Sequence, residues 1–518
     1  MVCTNRFRCD IKIIKICKHL ALGNVIILEQ SLTRMQTDLA FVDQDRKNEE
    51  GDTLTLIEQS HILEQAVGRR AEDSPREMQS PATGGYRNLD KLCINGGVRL
   101  EGTIKASGSK NATLAILAAS LLAEGPTILK NVPRIGDIYT MVEMLRALGV
   151  YCEINGGDSV VIDATELKTC EAPYDLVRKM RASFNVLGPI LARKGYAKVA
   201  MPGGCDIGAR PIDFHVKGIQ ALGAFVNTEH GFVEAEAERL VGTEVYLDFP
   251  SAGATQHIMT AACLAEGTTV IENAAMEPEI VDLARFLTKM GAKIEGAGTT
   301  SVKIEGVKKL HGVEHTVISD RMEAGTFAVA AAMTRGDVRI EHISPKHLEP
   351  FLIKLRETGA VVTVGDDWIR VRSNARPLAT DIVTMPHPGF PTDMHQPFAA
   401  LLTVAQGTSV ITENVYERRF KYINELQRMG AEIKQEGRTA FIRGVEKLTG
   451  AQVTATDLRA GAALVIAALG AEGGSEISGV DHIDRGYECL VEKLSSLGAD
   501  IHRTDTDSER KGSALCSV

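Results

Sequence analysis

Six times along this chain an apolar, helix-like stretch runs into a small-polar-Gly turn, at Gly125, Gly195, Gly267, Gly336, Gly407 and Gly473. The successive intervals are 70, 72, 69, 71 and 66 residues. A second glycine follows each marker and closes a second amphipathic stretch, at Gly149, Gly223, Gly291, Gly359, Gly430 and Gly498. A helix C-terminus that needs positive φ is expected at each of these. Self-similarity at a fixed period marks a chain built from one supersecondary unit. The unit from Ser251 reads as a helix over Gly253–Ala265, a turn at Glu266-Gly267, a strand over Thr268–Glu272, a helix over Pro278–Met290, and strands at Ala292–Glu295 and Ser301–Glu305. Pro278 and Glu279 suit a first helical turn, because proline lacks the N–H that goes unpaired there and glutamate opposes the helix dipole. Helices of this kind must be buried against sheets, so an α/β architecture is expected. The period exceeds that of the common solenoids, which points instead to closed domains of three units each.

Aromatic residues make up only 5% of the 518, against 44% hydrophobic overall, which favours small, closely packed helices and strands over an aromatic-rich sandwich or propeller. The net charge of −9 argues against a nucleic-acid binder, which needs a basic face for the phosphates, but leaves room for local cationic pockets. Ten cysteines show no C-x-x-C pair and no metal-ligand spacing, so a reduced, cytoplasmic chain with no metal and no organic cofactor is expected. No stretch approaches the roughly 18 apolar residues of a membrane span, and Lys12, Lys15 and Lys18 interrupt the apolar run expected of a signal peptide. Residues 38–77 hold eleven Asp/Glu against five Lys/Arg, so 1–77 reads either as a real extension or as an over-extended start ahead of Met78. Residues 506–518 read as a tail.

Counting back 14 or 15 residues from each first-marker glycine lands on Lys110, Arg181, Gly253, Arg321, Asp393 and Arg459. Four of the six are cations at helix starts, where the dipole favours acids, so each needs a compensating anion. Arg134, Arg210, Arg419 and Arg485 fall near the second helices. Helix starts lined with arginine and lysine suit a ligand carrying several phosphates or carboxylates. The run from Met201 to Pro211 packs three glycines and two prolines around Cys205 and reads as a lid-like loop displaying its thiol. In Phe390-Pro391-Thr392-Asp393-Met394-His395, Thr392 or Asp393 suits a helix cap or a catalytic base, and His395 reads as a first-turn surface residue. Trp368 reads as a strand residue with no chemistry attached. Ser107-Gly108-Ser109-Lys110-Asn111 lacks the G-x-x-x-x-G-K-[ST] spacing, which excludes a P-loop nucleotide hydrolase.

Gly108-Ser109-Lys110-Asn111, the loop Gly203 to Pro211, Phe390-Pro391-Thr392-Asp393-Met394, Asp457-Leu458-Arg459-Ala460 and His482-Ile483-Asp484-Arg485-Gly486-Tyr487 stand in an order that resembles the UDP-N-acetylglucosamine enolpyruvyltransferases of the EPSP synthase superfamily. The resemblance runs from about Tyr86 to Arg503. It implies a two-domain inside-out α/β barrel of six repeats, with residues 110–318 forming one domain and 86–109 plus 319–505 the other. It further implies transfer of the enolpyruvyl group of phosphoenolpyruvate to the 3′-hydroxyl of UDP-N-acetylglucosamine, with release of phosphate, at the first committed step of peptidoglycan precursor synthesis.

By the same resemblance Cys205 donates the proton and forms a covalent adduct with phosphoenolpyruvate, and it is the thiol that the epoxide fosfomycin alkylates. Asp393 is the implied base and Lys110 a third catalytic residue. Lys110, Asn111, Arg210, Arg459 and Arg485 are the implied phosphoenolpyruvate contacts. UDP-N-acetylglucosamine falls to Asn111, Arg181, Arg210, Pro211, Ile212, Asp213, Phe214, Ser251, Ala252, Gly253, Asp393 and Val415. The chain departs from some members at Asn185, Phe249-Pro250, His395 and Pro397. Two alternatives stand beside this reading: a shikimate 3-phosphate enolpyruvyltransferase, and an inactive paralogue that senses UDP-N-acetylglucosamine. Oligomeric state is not legible in the sequence.

Overall fold

The computed structural model describes residues 90–156, 158–202 and 212–504. The expectations for residues 1–77, for the Cys205 loop with Arg210 and Pro211, and for the tail 506–518 lie outside the described residues.

Glycines at the ends of the second amphipathic stretches adopt the left-handed backbone that their position demands: φ is +89° at Gly149, +93° at Gly223, +105° at Gly291, +88° at Gly359, +92° at Gly430 and +97° at Gly498. A side chain at any of them would strain the turn from helix to strand. Of the first markers, Gly336 alone does not have positive φ; its neighbour Arg335 takes the left-handed conformation, at +53°. Gly336 is required for space, since a Cβ there would lie 2.3 Å from the Leu100 carbonyl oxygen.

The stretch from Ser251 folds as helix Ala252–Ala262, strand Thr268–Glu272, helix Pro278–Lys289 and strands Lys293–Glu295 and Ser301–Glu305. Strand Thr268–Glu272 pairs in parallel with Glu244–Tyr246 and antiparallel with Ser301–Glu305, which pairs antiparallel with Lys293–Glu295. One parallel pair followed by two antiparallel pairs recurs in each four-stranded sheet among the described residues, for example Ile382–Val383, Thr408–Thr412, Thr439–Arg443 and Glu432–Glu436. In the three-stranded sheet of Tyr196–Ala200, Phe232–Glu236 and Phe225–Glu229 the parallel edge is reduced to a single bridge between Glu171 and Lys198. These mixed sheets, covered by helices, make the fold α/β. Trp368 begins strand Trp368–Arg372, with the Arg339 guanidinium 4.0 Å above its ring.

Buried apolar side chains form two clusters. One is built from residues between Ala112 and Val317; the other joins Leu92–Ala106 to Met322–Ile501. The N-terminal strand Lys91–Asn95 belongs with the second because it pairs with both Gly474–Ser478 and Asp500–Thr504. At the centre of the second cluster, helices Arg321–Met333, Thr392–Leu402 and Leu458–Gly470 pack on one another. Every residue of Arg321–Met333 is buried, the charged Arg321 and Glu323 included. Scarcity of aromatics makes this close approach possible: a Cβ on Gly470 would fall 2.6 Å from the Met333 methyl carbon. Among the described residues no helix is long and apolar enough to cross a membrane.

Candidate active site

Lys110 opens helix Lys110–Ala119, capped by Ser109, whose hydroxyl accepts the Ala112 N–H at 3.4 Å. The Lys110 N–H donates to Asp320 Oδ2 at 3.1 Å, while Oδ1 of Asp320 caps helix Arg321–Met333 by accepting from Met322 N (2.8 Å) and Glu323 N (3.0 Å). One carboxylate therefore ties two helix starts together. The Lys110 ammonium lies 3.2 Å from Asp137 Oδ2, and Arg485 Nε donates to Asp137 Oδ1 at 2.8 Å. Asp137 is only 5% exposed. It stands in the first turn of helix Gly136–Ala147, where an aspartate is ordinary, so no local pattern singles it out.

Gly108 sets the approach to this cluster. A Cβ there would lie 1.7 Å from the Asn131 carbonyl oxygen. Gly108→Ala should therefore destabilise the protein by roughly 1–3 kcal/mol and shift Lys110 away from Asp137. A lowered urea midpoint together with a raised KM for the anionic substrate is the expected result.

The second cluster surrounds Asp393. Its Oδ1 accepts from Arg419 Nη2 at 2.7 Å, and its Oδ2 accepts from Arg459 Nε and Nη2, both at 3.1 Å. Arg459 Nη1 donates to the Tyr487 hydroxyl at 2.9 Å, which lies 2.9 Å from the Thr326 hydroxyl. Burial alone would raise the Asp393 carboxyl; Arg419 and then Arg459 hold it far below the usual carboxylate range, with Lys110 pulling the same way. Its side chain keeps 25% exposure, so a ligand can reach it. Neither Asp393 nor Thr392 caps helix Thr392–Leu402, whose N-cap is Pro391. Pro397 lacks the N–H that would pair with the Asp393 carbonyl one turn back.

His395 is not a surface residue. It is fully buried, with Nδ1 3.0 Å from Glu413 Oε2 and Nε2 2.8 Å from the Tyr422 hydroxyl. Its first-turn position suggested exposure, but helix Thr392–Leu402 is packed between two others and has little solvated face.

The anions that compensate the cationic helix starts are carboxylates of the chain itself: Asp137 for Lys110, Glu279 for Arg321 (Nε to Oε1, 3.0 Å) and Asp393 for Arg459. An anionic ligand entering here competes with these carboxylates for the cations.

Arg181 starts a 3₁₀ helix, Arg181–Val186, and Ser251 caps helix Ala252–Ala262 by accepting the Ala254 N–H at 3.3 Å. Ile212 precedes helix Asp213–Ala221, with Asp213 and Phe214 in its first turn. Gly253 faces His215, whose ring atoms would stand 3.3 Å from a Cβ. The His215 ring packs against Phe184 (centroids 5.4 Å apart) and His257 (5.1 Å). Burial pushes both imidazoles down, His257 to about 3, and His257 and Arg181 lower His215 further. Both rings are buried beside Phe184. Asn111 is exposed at the second residue of its helix, and the Val415 N–H donates to Glu413 Oε1 at 2.7 Å. Sequence reasoning missed His257 and Glu413; it used His215 only within the Arg210–His215 stretch that favours the sugar nucleotide over shikimate 3-phosphate. Among the described residues no three His, Cys, Asp or Glu side chains converge as a metal site requires.

The sequence profile of the EPSP synthase family (3-phosphoshikimate 1-carboxyvinyltransferase) matches residues 94–494. The chain is 56% identical over 413 residues to UDP-N-acetylglucosamine 1-carboxyvinyltransferase 1 of Caldanaerobacter subterraneus subsp. tengcongensis, covering 80% of this chain and 99% of that protein. It is 57% identical over 417 residues to UDP-N-acetylglucosamine 1-carboxyvinyltransferase 2 of Carboxydothermus hydrogenoformans, again with 80% and 99% covered. Among solved structures, the enolpyruvyl transferase NikO from Streptomyces tendae superposes with a TM-score of 0.74 at 29% identity, over 80% of this chain and 99% of that one. EPSP synthase from Acinetobacter baumannii, at 20% identity and a TM-score of 0.63 over 80% of this chain and 100% of that one, shares the fold.

Proposed function

The chain belongs to the EPSP synthase family and, within it, to the UDP-N-acetylglucosamine 1-carboxyvinyltransferases; from that premise we propose that it transfers the enolpyruvyl group of phosphoenolpyruvate to the 3′-hydroxyl of UDP-N-acetylglucosamine, in the cytoplasm, for peptidoglycan precursor synthesis. The relatives that cover most of this chain at 56–57% identity carry the sugar-nucleotide name, so the shikimate and sensor alternatives are not favoured. The finer architecture is the inside-out barrel of six repeats, with residues 110–318 as one domain and 86–109 plus 319–505 as the other. The substrates meet between them.

The observation that supports the site assignment is the set of cations held on Asp137 and Asp393, partly buried at Lys110 and Arg485 and fully buried at Arg419 and Arg459. Lys110, Arg459 and Arg485, with Arg210 and Asn111, clamp the phosphate and carboxylate of phosphoenolpyruvate, for which arginine offers paired donors. UDP-N-acetylglucosamine lies on Arg181, Arg210 to Phe214, Ser251 to Gly253 and Val415. Cys205 gives its proton to the methylene carbon of phosphoenolpyruvate, and the sugar oxygen attacks the carbon bearing the phosphate while Asp393 takes the hydroxyl proton. Loss of phosphate, with a proton from the methyl group, restores the double bond.

Paired with Arg419 and Arg459, which stabilise its ionised form, Asp393 is a poor base. Phosphoenolpyruvate, by drawing Arg459 away, makes Asp393 more basic as it binds. Fosfomycin should leave one alkyl group on the protein, at Cys205, with parallel loss of activity. Peptide mapping that finds Cys205 unmodified in inactivated enzyme would overturn its assignment.

A further inference from the structure

Strand Thr408–Thr412 delivers Glu413 into a site with no solvent, where a carboxylate persists only if donors fill its acceptor sites. Five do. Oε1 accepts from the Thr384 hydroxyl (2.8 Å), Val415 N (2.7 Å) and Tyr416 N (2.9 Å); Oε2 accepts from the Thr392 hydroxyl (2.8 Å) and His395 Nδ1 (3.0 Å). Burial would raise the carboxyl, but the His395 ring, the Tyr416 N–H and the Thr392 hydroxyl bring it down to about 2. Since a carboxylate only accepts, His395 carries its proton on Nδ1 and receives the Tyr422 hydroxyl on Nε2.

The hydrogen bonds lead outward in two directions. Through Oε2, Thr392 donates to Glu413 and accepts from Arg419 Nη1 at 2.8 Å, and the other arm of Arg419 holds Asp393 at 2.7 Å. Through Oε1, Glu413 fixes the backbone of Val415 and Tyr416. We infer that Glu413 is a positioning residue that sets two parts of the site at once: the proposed base Asp393, by way of Thr392 and Arg419, and the Val415 backbone against the sugar nucleotide. The inference rests on the functional reading above. An amide could not replace the carboxylate, because its NH₂ would face a donor on whichever side it turned.

The test separates the two arms. Thr392→Val keeps the side-chain volume and removes the hydroxyl; it should lower kcat about 10- to 100-fold, the scale of a displaced catalytic group, with both KM values within about threefold of the parent. Thr392→Ser, which restores the hydroxyl, should recover most of the loss. Glu413→Gln should lower kcat similarly and also raise the KM for UDP-N-acetylglucosamine, because it alone disturbs both arms. If Glu413→Gln does not fold, the threonine pair decides the matter. A Thr392→Val enzyme with kcat within about twofold of the parent, or one whose kcat and both KM values deteriorate together with its melting temperature, would overturn the inference. A parent enzyme that does not turn over UDP-N-acetylglucosamine would instead overturn the functional reading, and this inference with it.

Discussion

Asp393→Asn should lower kcat by about a thousandfold, near the middle of the range for loss of a general base. The amide matches the carboxylate in shape but takes up no proton and no longer neutralises Arg419 and Arg459, which both lie almost entirely out of solvent. Binding of phosphoenolpyruvate should not weaken in step, since Arg459 becomes freer to meet an incoming anion. The expected pattern is thus a collapse of kcat with an unchanged or lowered KM for phosphoenolpyruvate. A variant that keeps more than about a tenth of parental kcat would remove Asp393 from the base role.

Arg321→Met should cost about 3–5 kcal/mol of stability, read as a fall in the urea midpoint, because it strands a buried carboxylate. Glu279 opens helix Pro278–Lys289 of the first core, and Arg321 opens helix Arg321–Met333 of the second. Their paired contacts at 3.0 and 3.2 Å join the two cores. Burial pushes the Glu279 carboxyl up, and the adjacent guanidinium takes it below its ordinary value. Adding Glu279→Gln to Arg321→Met should recover at least half of the loss, since no charge is then left unpaired. The exposed pair Lys447–Glu472 provides the contrast, because breaking it should cost no more than about 1 kcal/mol. Equal losses from the two sites would show that the buried pair is not what couples the cores.

Helix and strand positions were legible where glycine and proline leave no choice of backbone. In the stretch from Ser251, Pro278 starts a helix, Gly291 follows its end at φ +105°, and the strands Thr268–Glu272 and Ser301–Glu305 fall at the expected residues. Cations at helix starts were legible as an electrostatic anomaly, but their partners were not. Lys110 meets Asp137 across 27 positions and Arg459 meets Asp393 across 66, while Arg485, which stands at the C-terminal cap of helix Val480–Asp484 and not at a helix start, meets the same Asp137 across 348; no local pattern encodes such pairings. Glu413 was hidden for a related reason: nothing local marks a glutamate after a strand, and only the packing of helix Thr392–Leu402 turns it into a buried acceptor. His395 was misread through the same packing.

The most direct test of the account is phosphate release from phosphoenolpyruvate by the purified full-length chain, measured with each acceptor in turn. Release that requires UDP-N-acetylglucosamine, and that neither shikimate 3-phosphate nor water supports, is the predicted result. Release driven by shikimate 3-phosphate, or none with UDP-N-acetylglucosamine while the sugar nucleotide still binds, would contradict it.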